Sequence, residues 1–464
     1  MNRSSGTDVP YRMTGQQWLT VFLLLGTSFM LSVDFSILNV AMPQLGAAVG
    51  LDLAQLPWIA TAYALPAAGF TLLFGRMADL FGRRLLFLSG IVLLAAASIL
   101  GGLANSAEML LAARALQGFA TAMATPSALA LLITAFSDEG QRARLLGFNG
   151  ALLSGGFTVG ALVGGALVDV LSWRWAFFIN VPVAILILLV GPFVLRASKS
   201  PKGVRLDIPG AITVTLGLLV FVAGVTSGNI YAVIGGLLLL LLFWVIESRT
   251  RLPLVAVGIL ASPTVKWGNI ATLVMFSMEP AMIFLITLYL QDEMHLSPLA
   301  TGLALGIPAL ASVVAGILAG RFIARHGMRN VLALGLAVQA LCTLPLVFVG
   351  AAPVWLWILV AALFLGFFGH VTAIVASMVT ATSGRPDHEQ GLATGLVSMT
   401  QQVGITIGIP ILGAIAATQA GLLPGIHLAL TVNVVVTLIA AALIWIGLRP
   451  RQVSTAGSVE TSAA

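Results

Sequence analysis

Charge is scarce in this chain. Asp, Glu, Lys and Arg make up 8% of its 464 residues, against roughly 25% in an average soluble domain, which excludes an ordinary solvated globule. Cysteine is scarcer still. Cys342 stands alone inside an apolar run, so neither a disulfide framework nor a cysteine-rich metal site is available. Lysine occurs only at Lys199, Lys202 and Lys266, none of them in a G-x-x-x-x-G-K-[ST] phosphate loop, and no His-Glu-x-x-His pair is present. ATP hydrolysis by this chain is therefore not expected, and neither is a cofactor or a metal. Ion gradients or passive flow remain as energy sources.

Apolar residues fill the space that charge leaves. They are 59% of the chain, and the mean hydropathy is +1.06, so the solvent to consider is lipid. Runs long enough to cross a bilayer, about 20 residues each, fall at roughly 17–40, 53–75, 84–103, 109–131, 144–169 and 175–195. Two more, about 208–227 and 229–247, are joined by Ser227-Gly228-Asn229, and six follow near 268–291, 298–320, 330–350, 353–380, 391–418 and 427–448. The expected fold is an all-α polytopic membrane protein with fourteen spans. Its expected domains are a polar tail (1–16), a six-helix bundle (17–195) and a linker (196–267) holding an extra hairpin at about 208–247. A second six-helix bundle (268–448) and a tail (449–464) complete it. The first apolar run is too long for a signal-peptide core, so the N-terminal segment is expected to be retained.

The basic balance, a net charge of +6, could suggest nucleic acid, but its distribution argues otherwise. Arg76, Arg83, Arg84, Arg142, Arg144, the 196–205 cluster, Arg249, Arg251 and Lys266 fall in alternate loops. Arg321, Arg325, Arg329, Arg385, Arg449 and Arg451 continue the series. The opposite loops carry Asp52, Glu108, Asp292 and Glu293, and only Arg174 breaks the pattern. The excess of basic residues on one side predicts both termini in the cytoplasm of a cell-membrane protein. No nucleic-acid partner is expected.

One of those loops repeats. Gly75-Arg76-Met77-Ala78-Asp79-Leu80-Phe81-Gly82-Arg83-Arg84 is a short charged connector between two apolar runs. Gly320-Arg321-Phe322-Ile323-Ala324-Arg325-His326-Gly327-Met328-Arg329 follows 245 residues later (320 − 75). The second copy keeps both glycines and the equivalents of Arg76 and Arg84, but has Ala324 where Asp79 stood. An internal repeat in a polytopic chain predicts a transporter of two related halves, with its site between them near the midplane.

The first loop resembles the signature loop between spans 2 and 3 of the major facilitator superfamily. Other stretches, in order, resemble the fourteen-span drug:proton antiporter branch of that family. They are Asp34-Phe35-Ser36-Ile37-Leu38-Asn39-Val40-Ala41-Met42-Pro43 in span 1, Trp58-Ile59-Ala60-Thr61-Ala62-Tyr63 at the start of span 2, and Arg114-Ala115-Leu116-Gln117-Gly118 in span 4. Trp173-Arg174-Trp175 through Asn180-Val181-Pro182 belongs to the same series. Gly156, Gly160, Gly164 and Gly165 in span 5 resemble the antiporter glycine motif, with Ala161 where the family usually has proline. These glycines recur about every four residues, and such a stripe lets helices approach closely in lipid. It serves packing, gating or both. Trp18, Trp58, Trp173, Trp175 and Trp267 lie near span ends as interfacial anchors do, with Trp58 the best candidate for a ligand contact.

Ionisable groups in the lipid-depth runs carry the most information, because each costs a few kcal/mol there unless it faces a cavity or a partner. Asp34, Arg114, Glu279 and His370 are the clear cases. They fall in the first and fourth spans of each half, which by the resemblance line the central cavity, together with Gln117, Tyr63 and Trp58. Asp34 and Arg114 both lie about six residues from the same end of their spans, at a depth of about 9 Å, so they can pair. Glu279 occupies the repeat position of Asp34 and precedes Pro280, which predicts a helix break beside a carboxylate. His370 is either a proton relay or a histidine bonded to a neighbouring helix. Met275, Phe276, Met278, Met282 and Phe284 give the second-half span soft and aromatic groups, suited to varied lipophilic ligands or to core packing.

The function expected from this pattern is proton-driven export of lipophilic, cationic small molecules, by a monomer, since carboxylates in low dielectric can load and release protons near neutral pH. The alternatives are a dedicated metabolite or lipid transporter on the same fold, and a receptor or scaffold that has lost transport. Retained buried acids argue against the last.

Overall fold

A computed structural model describes residues 13–52, 55–136, 139–196, 207–250, 257–384 and 387–448. Residues 1–12 of the expected N-terminal tail, the expected C-terminal tail with Arg449 and Arg451, the linker stretches 197–206 and 251–256 with Arg251, and Arg385 lie outside the described residues, as do the side chains of Arg142 and Arg144. The described residues are helical throughout, without strands. In chain order the helices are α1 (Gly15–Val49), α2 (Pro57–Phe81), α3 (Arg83–Gly102), α4 (Ala107–Ala135), α5 (Glu139–Val170), α6 (Trp175–Phe178) and α7 (Asn180–Val194). Then come α8 (Ile208–Ser227), α9 (Ile230–Arg249), α10 (Pro263–Leu288), α11 (Pro298–His326), α12 (Met328–Thr343), α13 (Val354–Thr382), α14 (Asp387–Ala417) and α15 (Leu422–Gly447).

Fourteen spans were expected. Eleven helices among the described residues are long and apolar enough to cross a membrane, and twelve if α2, bent by 52° near Thr71, counts as one. The two shortfalls are α5, whose described apolar part is Gly155–Val170, and α8, whose apolar part is Pro209–Val225. Each of these stretches is bounded by residues whose side chains lie outside the described ones.

The helix ends follow local chemistry. Thr14 and Gln17 form a reciprocal capping box at α1. Ser106, Asn229 and Ser297 cap α4, α9 and α11 through their side chains. The charged Gly75–Arg84 segment is less of a loop than its composition suggests. Helix α2 runs through Phe81, and Gly82 alone, at φ 106°, makes the turn into α3. Gly327, at φ 79°, does the same between α11 and α12. Left-handed backbone costs a glycine little, so one residue suffices at each joint.

The repeat is visible in the packing. In the first half α1 packs on α5, α2 and α3 on α4, and α3 on α7. In the second half α10 packs on α14, α11 and α12 on α13, and α12 on α15. Arg84 donates to the Pro192 carbonyl of α7 at 2.6 Å. Arg329 donates to the Trp445 carbonyl of α15 at 2.7 Å and stacks on that indole. Gly90 in α3 meets Ala120 and Ala124 of α4 just as Gly335 in α12 meets Gly369 and Ala373 of α13.

The largest apolar core joins the halves at one end. A single apolar core runs from Val33–Leu45 of α1 through Met278–Leu290 to Ala304–Ala309 of α11. This lies at the end opposite the basic loops. Toward the basic end two cores belong to single halves, one built on Leu24, Phe87 and Leu131 and the other on Leu332, Ala376 and Ile444, while a further core links Leu65 and Ala68 of α2 through Val214 and Leu218 of α8 to Ala393 and Leu396 of α14. Across the closed end Gln291 donates to the Val40 carbonyl at 2.7 Å. Arg174, the basic residue out of place in the charge pattern, clamps the α3–α4 turn there, donating to Ala104 O and Asn105 Oδ1 at 3.1 Å each. The extra helix α8 packs against both α2 and α14, and Thr215 donates to the Gly69 carbonyl at 2.7 Å. Its partner α9 is peripheral: 17% of its apolar window is buried, against 78% for α10.

Candidate functional site

Two polar clusters occupy the two halves at repeat-related positions. In the first, Asp34 of α1 and Arg114 of α4 form an ion pair at 3.4 Å, with the side chains 0% and 1% exposed. Arg114 also donates to Gln117 Oε1 at 2.7 Å and to the Ile59 carbonyl at 3.1 Å, and its guanidinium lies 4.3 Å above the Tyr63 ring. Gln117 donates to Asp34 at 3.3 Å and to Ser98 at 3.0 Å. Asn180 of α7 donates to Asp34 and, at 3.4 Å, to Ser98. Tyr63 exchanges a hydrogen bond with Thr121 at 2.9 Å. Asp34 thus accepts from three side chains on two helices and is sealed from solvent. Such a fully partnered buried charge is a rigid joint of the bundle.

The second cluster is sparser. Glu279 of α10 has 14% of its side chain exposed, and its ionic neighbour among the described residues is His370 Nε2, at 3.7 Å. His370 Nδ1 meets Gln339 Oε1 of α12 at 3.2 Å, and the Phe276 ring lies edge-on to the imidazole, centroids 6.2 Å apart. The repeat position of Arg114 is filled by apolar packing, with Leu359 and Leu363 of α13 both in the core. A permanent cation stands beside one acid and a titratable ring beside the other.

Pro280 does not break α10, contrary to the expectation from sequence; the helix runs from Pro263 to Leu288 with Pro280 inside it. Neighbours hold the backbone there. Asn433 of α15 donates to the Met278 carbonyl at 2.7 Å, and Gly408 lets α14 come up against Ser277. Close packing of this kind supports a proline-containing span. Asn433 stands in α15 as Asn180 stands in α7, but it bonds backbone and leaves the acid free.

The soft side chains are less exposed than their pattern suggests. Met275 is 0% and Met278 7% exposed, and both are packed in helix cores. Met282 takes a hydrogen bond from Thr343. These three sit where α10 turns toward its neighbours, so only half-buried Phe276 remains beside the second cluster. Trp58 is half-buried in the first turn of α2.

The glycine stripe serves two contacts. Gly156, Gly160 and Gly164 press α5 on α1 within the first half; a methyl at Gly160 would come within 2.7 Å of the Val33 carbonyl. Gly165 faces α11 across the seam, 2.5 Å from the Pro298 carbonyl on the same measure, and Gly302 closes on Ala161. Gly75 approaches Pro126 of α4, and Asp79 pairs with Arg83 at 2.9 Å, while Arg83 reaches the Ala130 carbonyl at 3.4 Å. These contacts tie the α2–α3 joint to α4 inside one half. Arg76 is half-buried in the last turns of α2.

Sequence reasoning missed Ser98, Asn180 and Gln339 as members of these clusters. Asn180 and Gln339 are polar residues inside apolar runs, which the cost of burying an unpartnered amide would have flagged. Serine is common in such helices, and Ser98 carries no signal.

The Major Facilitator Superfamily model matches residues 24–278 and 268–463. The chain is 32% identical over 460 residues to the puromycin resistance protein pur8 of Streptomyces alboniger, covering 93% of this chain and 91% of that protein. It is 34% identical over 404 residues to the cephamycin export protein CmcT of Amycolatopsis lactamdurans, covering 83% and 82%. It is 30% identical over 410 residues to the multidrug resistance protein Stp of Mycobacterium tuberculosis, covering 84% and 74%. Its fold matches the crystal structure of the human organic anion transporter MFSD10 (TETRAN) with a TM-score of 0.64 at 16% identity, over 93% of this chain and 100% of that one. The all-helical fold, the repeated halves and these relatives agree: the chain belongs to the major facilitator superfamily, in its multidrug-efflux branch, and is a membrane transporter, not an enzyme.

Proposed function

We propose that this transporter is a proton-coupled antiporter that exports lipophilic, cationic small molecules by alternating access, with Glu279 as the coupling carboxylate. The observation that carries the reading is the contrast between its two deep acids. Asp34 is enclosed by Arg114, Gln117 and Asn180, whereas Glu279 is partly exposed beside a histidine. A carboxyl group without a permanent cation can hold a proton in low dielectric and yield it when a cationic ligand stabilises the charged form. That competition is antiport in its simplest form. The proton gradient supplies the energy and no cofactor takes part.

The remaining features of the reading are fourteen spans, adding α5 and α8 to the twelve, a monomeric unit, and a place in the cell membrane with both termini cytoplasmic. On that topology the core shared by α1, α10 and α11 closes the outer side. The first half supplies the fixed charge network and the second half the variable one.

Reconstituted protein tests the assignment. Glu279→Gln is expected to bind a lipophilic cation but to lose cation-induced proton release and gradient-driven export by at least about tenfold, the equivalent of 1.4 kcal/mol. Full proton-coupled export by the variant would shift the coupling role to Asp34. A second reading, a dedicated exporter of one antibiotic-like compound, is favoured by relatives named for puromycin resistance and cephamycin export. Competition among chemically unrelated cations separates the two: a dedicated exporter would respond to one scaffold only.

A further inference from the structure

The Glu279–His370 contact works only if the right imidazole nitrogen faces the acid, and something has to select it. His370 is fixed from its far side. Gln339, 2% exposed on α12, presents its amide oxygen to His370 Nδ1 at 3.2 Å. An amide oxygen only accepts, so Nδ1 carries the hydrogen and donates it. In the neutral ring the other nitrogen, Nε2, then has its lone pair free, and Nε2 is the atom 3.7 Å from Glu279 Oε2. A small side-chain movement brings that separation within hydrogen-bond range.

We infer that Gln339 is a positioning residue for proton transfer at Glu279, acting through His370 by holding its ring as the Nδ1–H tautomer. The step balances. The Glu279 O–H bond breaks and its proton passes to the Nε2 lone pair, leaving a carboxylate and an imidazolium. The imidazolium keeps its Nδ1–H on Gln339 and later loses the Nε2 proton to water, which restores the neutral ring. Without Gln339 the ring is free to present Nε2–H to the acid. It would then donate to the carboxylate, and could no longer receive a proton from it.

The surroundings leave few competitors. On the helices packed against α10 and α13, the other ionisable residues lie near the helix ends or on another cluster. Lys266, Arg321, Arg325, His326 and Arg329 are at the basic end, Asp292, Glu293 and His427 at the opposite end, and Asp34 is held by Arg114. The thiol of Cys342 is half-buried on α12, and the described part of α14 within the membrane carries amides at Gln401 and Gln402 but no charge. His427 bonds the Val349 carbonyl at 2.7 Å.

This inference rests on Glu279 as the coupling carboxylate, and its test separates the two. Ring nitrogens of 15N-histidine-labelled full-length protein report tautomers directly, with His370 assigned by the signal lost in His370→Asn. The expected result is Nδ1–H at His370 in the parent and in Gln339→Glu, and loss of that signature in Gln339→Leu. In proteoliposomes, with tetraphenylphosphonium as the probe cation, Gln339→Leu is expected to move the pH midpoint of proton release about half to one unit toward acid. That is the size of one hydrogen bond gained by the carboxylate. An Nε2–H tautomer in the parent, or a tautomer unmoved by Gln339→Leu, overturns the inference. If Gln339→Leu does not fold, the parent and Gln339→Glu spectra still decide it. Glu279→Gln measured alongside separates the failures: full proton release by that variant removes the coupling role of Glu279 while the tautomer result stands on its own.

Discussion

The two halves share a fold and differ in how they treat the same buried position. In the first, an acid of α1 meets arginine, glutamine and asparagine and is 0% exposed. In the second, the corresponding acid of α10 meets a histidine and keeps 14% of its side chain open. The asparagines of α7 and α15 show how the difference is made. Asn180 turns to the carboxylate, and Asn433 turns to a backbone carbonyl next to Pro280. One half spends its polar groups on neutralising a charge and the other on supporting a proline-containing helix. A duplicated scaffold can thus keep its packing while one copy encloses its acid and the other leaves it partly open.

The sharpest way to break this comparison is to remove the fixed cation. Arg114→Ala leaves Asp34 charged and unpaired in low dielectric and is expected to cost roughly 3–5 kcal/mol, while Asp34→Asn with Arg114→Ala should recover part of that loss. Thermal unfolding in detergent measures both. Additive effects of the two changes would mean that the pair does not couple, and the first cluster would lose its status as a joint.

The shared part of the scaffold allows a medium-sized test. Gly90→Val and Gly335→Val each push side-chain atoms into the partner helix, where a methyl would already lie within about 3 Å of backbone. Each is expected to destabilise by about 1–3 kcal/mol. Gly320→Val, with open space around it, should stay within about 0.5 kcal/mol. If the first two differ from each other by more than they differ from Gly320→Val, the halves do not pack alike.

A small stability effect also belongs to Asp79, whose counterpart in the second copy is Ala324. Its pair with Arg83 is partly exposed, so Asp79→Asn should change stability by less than about 1 kcal/mol. Export should nevertheless slow, because the pair orders the joint where α2 turns into α3. Unchanged export kinetics at equal protein level would leave Asp79 with no part in gating and make the two copies of the loop equivalent.

Much of this was legible in the chain itself. Fifty-nine per cent apolar residues in separated runs, with arginines in alternate loops, determine a polytopic helical protein, because each backbone group in lipid must be satisfied within its own helix. The spacing of the Gly-Arg loop and its degraded copy determined the two related halves. The cost of charge in lipid picked out Asp34, Arg114, Glu279 and His370. What a helix does with its other faces is not written in its own sequence, because burial depends on which neighbour arrives. Only the tertiary structure decided that Met275 packs away from the site, that α10 continues through Pro280, and that Gly82 alone turns the charged connector. Only it decided that Asn180 reaches Asp34 and Gln339 reaches His370, since those partners lie more than 30 residues away along the chain and meet through the crossing of helices in space.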